Sequence, residues 1–157
     1  MSKPKRKKPE DFPFCTYVVQ VQGWQPRYSL YIKGKFDAGP FSEHWALDFT
    51  GTMLHPKKVE GRAIKMSIMG DRHIAQDLNS RKPPFYEPEA VGELTARGKD
   101  TDLLGWIPFD FLALIPTLIS AEKLKFILMD GRELYYGKAD ITAFHFLNEY
   151  GPDNLIL

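Results

Sequence analysis

Apolar and polar residues alternate with a period of two along most of this chain, the signature of strands with one buried face. The pattern begins at Phe14, where Cys15, Tyr17, Val19 and Val21 fall on one side and Thr16, Gln20 and Gln22 on the other. Gly23 and Pro26 mark a turn around Trp24, after which Tyr28, Leu30 and Ile32 resume the alternation. A loop from Gly34 to Pro40 leads to the clearest strand, with Trp45, Leu47, Phe49 and Met53 set against Ala46, Asp48, Thr50 and Thr52. Ile64, Met66 and Ile68 predict another strand between Gly61 and Gly70, and a weaker one spans Val91 to Arg97.

The period changes once. After Pro108, Phe111, Leu112, Ile115, Leu118 and Ile119 repeat at helical spacing, so a helix is expected there, kinked or divided at Pro116. The last third reads as a hairpin in which LKFILM and ELYYGK flank Asp130-Gly131, with Met129, Asp130 and Gly131 forming the loop and Gly131 at positive φ. Ile141 to Leu147, apolar on both faces through Phe144 and Phe146, closes the series.

About eight short strands with one helix inserted late predict a mainly β fold, an antiparallel β-sandwich or open barrel. The alternative is an α+β sheet with the helix on one face. At 157 residues one core is expected, over residues 13–150. Residues 1–12 read as a disordered basic tail and 151–157 as a C-terminal extension.

Charge separates the tail from the body. The chain holds 21 basic and 20 acidic residues; Lys3, Lys5, Arg6, Lys7 and Lys8 take five of the former, leaving 16 against 20. A mildly acidic body argues against a broad face that follows a phosphate backbone. Lys5, Arg6, Lys7 and Lys8 are therefore the candidates for weak, sequence-independent binding to nucleic acid or another polyanion, against the commoner role of a charged run as a solubilising extension. Cys15, the single cysteine, permits no internal disulfide and reads as a small core residue. No run of apolar residues is long enough for a membrane span or a secretory leader, and a cytoplasmic location is expected.

The chain carries no glycine-rich phosphate loop, GxSxG, HExxH or paired CxxC, so the enzyme classes those motifs announce lose their weight. Asp71, His73 and Asp77 could share a divalent ion, although polar residues in a long loop are more often simply solvated. No cofactor is expected. Trp106, Tyr136 and His145 are the candidates for a pocket, His145 being otherwise a satisfied histidine near the core. Phe85 and Tyr86, between prolines and beside Arg81 and Lys82, are the candidates for exposed anchors of a partner interface. Two functions follow. One is a module that presents the 71–88 loop and a sheet edge to another protein chain, including a second copy of itself. The other is a β-barrel ligand carrier or enzyme with the 108–120 helix over its cavity.

Overall fold

A computed structural model describes residues 5–32, 41–72, 74 and 89–156. Its strands are β1 (Phe14–Ile32), β2 (Phe41–His55), β3 (Ala63–Asp71), β4 (Gly92–Arg97), β5 (Asp100–Pro108), β6 (Phe126–Arg132) and β7 (Lys138–Leu147), with the helix α1 (Phe109–Ser120) after β5. They close into a barrel in the order β1-β2-β3-β5-β4-β7-β6. The expected mainly β fold with a late helix is what the chain adopts. The described residues hold seven strands, against the eight or so expected, and the sheet is mixed: β5 lies parallel to β3 and every other neighbour is antiparallel.

Inward-facing residues fill the barrel. Tyr17, Leu47, Phe49, Met53, Ile64, Met66, Ile68, Leu94 and Ile127 are fully buried. α1 lies against β3 and β5 at one end of the barrel, where Leu112 and Ile115 are buried. Its start fits because Gly70 has no side chain: a Cβ there would stand 3.0 Å from Leu112 Cδ2 and 3.2 Å from Phe109 Cα. α1 passes through Pro116 as one helix, where two short turns were an alternative.

Two expectations about turns are corrected. Gly23 and Pro26 do not break β1, which runs for 19 residues; an extra residue between Val21 and Gly23 bulges the strand instead of ending it. Asp130-Gly131 is not a hairpin loop but lies inside β6, and Gly131 is absent from the positive-φ glycines. Gly131 is needed because β7 passes so close that a Cβ would strike the carbonyl of Asp140. The chain reverses later, at Tyr136 and Gly137, whose φ of 49° and 75° suit a tight turn closed by the Tyr135–Lys138 bridge.

The described segments before β1 and after β7 both touch the barrel wall. Pro9–Asp11 forms a 3-10 turn, and Arg132 donates to the carbonyls of Glu10 (3.1 Å) and Phe12 (2.7 Å) while its guanidinium lies 4.5 Å from the centre of the Phe14 ring. At the other end, the Ile156 N–H donates to Thr16 Oγ1 (2.8 Å) and Tyr150 packs edge-on against Phe126. Val18 and Leu128 share that outer face and are nevertheless fully buried, because the C-terminal segment crosses it.

Candidate functional site

β1 and β2 outlast their neighbours. β6 stops pairing with β1 at Gln20 and β3 stops pairing with β2 at Ala46, yet β1 and β2 stay paired to Ile32 and Phe41. The result is a two-stranded arm projecting past the barrel wall. Its sequence supports this, since Tyr28-Ser29-Leu30-Tyr31-Ile32 is rich in strand-forming residues and lacks any charge or proline.

The arm is pinned at its base. Glu43 accepts from the Tyr28 hydroxyl (2.9 Å) and from Arg72 (2.9 Å), Arg72 lies 4.8 Å from the centre of the Phe109 ring, and Phe109 packs edge-on against Trp45. The Glu43 carboxylate holds the Tyr28 phenol above its usual pKa, because ionising it would end that hydrogen bond. Beyond the base, Tyr28, Leu30, Tyr31, Ile32 and Phe41 are 56%, 58%, 54%, 85% and 62% exposed. The sequence reading set Tyr28, Leu30 and Ile32 on a buried face, and the structure corrects it: at these positions the strand has outrun the barrel that would cover them. Among the described residues nothing pairs with the outer edge of β1 past Val21, whose N–H donates to Lys125 O (2.9 Å).

The expected pocket residues do not come together. Trp106 lines an apolar cleft of about 440 Å³ with Phe111, Phe144 and Phe146. Tyr136 stands at the β6–β7 turn, beside a hollow of about 280 Å³ that it shares with Arg6, Lys7, Phe12 and Tyr135. His145 lies on the outside of β7, its Nε2 2.8 Å from Asp130 Oδ2, while Thr16 Oγ1 donates to Asp130 Oδ1 at 2.7 Å. This cluster holds the ingredients of a nucleophilic triad in the wrong order. The carboxylate stands between the hydroxyl and the imidazole, so no imidazole faces Thr16, and the hydroxyl also secures Ile156 by accepting its N–H. It is a structural latch.

Of the basic residues, Lys7 lies over the Phe12 ring at 5.9 Å and Lys8 is 3.8 Å from Glu10; Lys5 and Arg6 are exposed. Arg81, Lys82, Phe85 and Tyr86 lie outside the described residues, as do His73 and Asp77. Asp71 closes β3. Among the described residues no three His, Cys, Asp or Glu side chains converge as a metal site requires. Burial raises the pKa of the Cys15 thiol, which leaves it a poor nucleophile, and burial likewise raises that of Tyr17, whose hydroxyl donates to Arg132 O (2.7 Å).

A shallow hollow of about 670 Å³ on the outer wall carries mixed charge from Asp48, Lys65, Glu93 and Asp102. Arg27 bridges Asp48 and Ser67 there. It offers hydrogen bonds, among them one between the Ser67 hydroxyl and the Asp48 carboxylate. No family model matches the chain, and neither the curated proteins nor the solved structures contain a match. No helix among the described residues is long and apolar enough to cross a membrane.

Proposed function

We propose that this protein is a cytoplasmic binding or assembly module whose recognition element is a sheet edge, the projecting part of β1, offered to another protein chain. The observation that carries this reading is the coincidence on one strand of an unpaired backbone edge and four large exposed side chains, Tyr28, Leu30, Tyr31 and Ile32. A bare, uncharged edge is a liability that folded proteins ordinarily blunt with lysine, proline or a covering segment. Strand addition turns that liability into recognition, with main-chain hydrogen bonds giving affinity and alternate side chains giving specificity. The segment expected from sequence as the 71–88 loop begins inside β3 at Asp71 and otherwise lies largely outside the described residues; Phe85 and Tyr86 within it are a second element of the same proposal.

The ligand-carrier reading has less support. Large side chains occupy the barrel interior, and α1 drives Leu112 and Ile115 into its end instead of arching over a space.

A photo-crosslinking amino acid at position Ile32, compared with one at Lys65 on the outer wall, tests the proposal in the cell. The expected result is a discrete protein adduct from position 32 and none from position 65. Loss of the adduct on Leu30→Lys is also expected, and Phe85→Ala/Tyr86→Ala measures the loop's share. Equal labelling from both positions, or an adduct indifferent to Leu30→Lys, would refute the arm as the recognition element.

A further inference from the structure

The edge of β1 is self-complementary, and on this ground we propose that its partner is a second copy of the chain. The two β1 strands would pair antiparallel about a twofold axis at Leu30. The inference rests on the arm being a protein-binding surface and names what it binds.

Backbone direction comes first. The Met53 N–H donates to Arg62 O, on the β3 side, so the odd-numbered residues of β2 turn their backbone groups away from β1. Their partners across the β1–β2 ladder are Trp24, Pro26, Tyr28, Leu30 and Ile32. In an antiparallel pair both members of such a position face outward, so these residues aim their backbone groups at the free edge. Pro26 agrees with this assignment: a nitrogen without hydrogen is tolerated where the N–H would face away from the ladder. Past Pro26, Tyr28, Leu30 and Ile32 present N–H and C=O in the spacing another strand requires.

Side chains come next. With Leu30 on the axis, Leu30 meets Leu30, Tyr28 meets Ile32 of the second copy, and on the opposite face Ser29 meets Tyr31. These three kinds of cross-strand pair are uncharged, and each adds favourable packing. The nearest charges among the described residues are both held: Glu43, opposite Leu30 on β2, by Tyr28 and Arg72, and Arg27 by Asp48 and Ser67. Area sets the strength. Tyr28, Leu30, Tyr31, Ile32 and Phe41 are 54% to 85% exposed. At roughly 200 Å² for each side chain they offer roughly 600 Å² per copy, against about 800 Å² per partner in a standard interface. A closed twofold dimer, the commonest oligomer of soluble proteins, with a dissociation constant of about 1–100 µM fits that size.

Sedimentation velocity of the full chain from about 1 to 500 µM, a range that brackets this constant, is the test. The wild type is expected to pass from monomer to dimer with rising concentration. Leu30→Lys and Leu30→Glu are each expected to remain monomeric, and their mixture to form a heterodimer, because the axis places position 30 of one copy against position 30 of the other. A wild type that stays monomeric throughout overturns self-pairing; the crosslinking experiment above then decides by itself whether the arm binds a different chain. Dimers that survive both substitutions overturn it equally, since the interface would lie elsewhere. Should either variant unfold, hydrogen exchange on the wild type replaces it: the amides of Tyr28, Leu30 and Ile32 must gain protection with concentration, and constant exchange overturns the proposal.

Discussion

Replacing Leu112 by alanine tests whether α1 plugs the barrel or lids a cavity. Leu112 is wholly buried, and its Cδ2 lies against the backbone of Gly70 in β3. Leu→Ala removes three carbons, worth about 2.4 kcal/mol of transfer free energy at ~0.8 kcal/mol each. If the surroundings collapse only in part, a residual void of roughly 60 Å³ adds about 1.5 kcal/mol. The expected loss is therefore about 2.5–4 kcal/mol, a fall in Tm of roughly 5–15 °C for a domain of this size. The control is Leu114→Ala. Leu114 is 57% exposed on the same helix, and its truncation should cost under about 0.5 kcal/mol. Urea unfolding followed by tryptophan fluorescence, with calorimetry for Tm, reads both. If Leu112→Ala costs less than about 1 kcal/mol, or no more than Leu114→Ala, α1 is not the plug described above. The carrier reading would then regain ground.

Three further outcomes are expected. Gly105→Ala should destabilise by about 1–3 kcal/mol, because its Cβ would lie 2.6 Å from Phe144 Cζ. Phe144→Leu in the same chain should recover part of the loss, and simple additivity of the two in urea unfolding would contradict the contact. The hydrogen bond from Arg27 holds the Asp48 carboxyl below the usual carboxylate range, so the folded state favours its ionised form. That stabilisation is present above the unfolded carboxylate pKa and is lost as pH falls through the lower folded one. Arg27→Ala should thus cost at most about 1 kcal/mol at pH 7 and almost nothing near pH 2, and equal costs at the two pH values would refute the pairing. Deleting residues 1–8 should abolish any polyanion binding, with a wild-type slope of log affinity against log salt no steeper than about −4.5, and should leave Tm almost unchanged. Retained binding by the truncated chain, read by fluorescence anisotropy, would place a recognition surface on the folded body.

Much of the fold was legible because the barrel's inner wall obeys the period of two. Tyr17, Val19, Leu47, Phe49, Met53, Ile64, Met66 and Ile68 all lie where alternation put them. The helix was legible for the same reason at a different period. What misled were residues whose usual meaning is a turn. Gly23 sits in a bulged strand where a Cβ would press within 2.9 Å of Thr50 Oγ1, and Gly131 sits beneath a crossing backbone. In both, glycine answers a close approach by a neighbouring strand distant in sequence rather than a reversal of the chain. Asp130 likewise looked like half of a turn pair, and its side chain instead joins Thr16 to His145. Local sequence carries the need for a glycine or an aspartate; it does not carry which need.

The candidate site was illegible for a deeper reason. Alternation divides a strand into two faces, but burial of a face depends on what packs against it, and that is decided by where other strands end. Val19 and Leu30 belong to the same strand, yet Val19 has β6 beside it and Leu30 does not, since β6 leaves the pairing at Phe126 opposite Gln20. The converse holds for Val18, which lies on the same outer face as Thr16 and Gln20 and is buried because the C-terminal segment crosses it. A signal did exist in Tyr28 to Ile32, where Tyr31 places a large ring on the face that should have been polar. A strand apolar on both faces must be covered on both. The described barrel covers neither face of the arm's tip, and on the reading proposed above the cover comes from another chain.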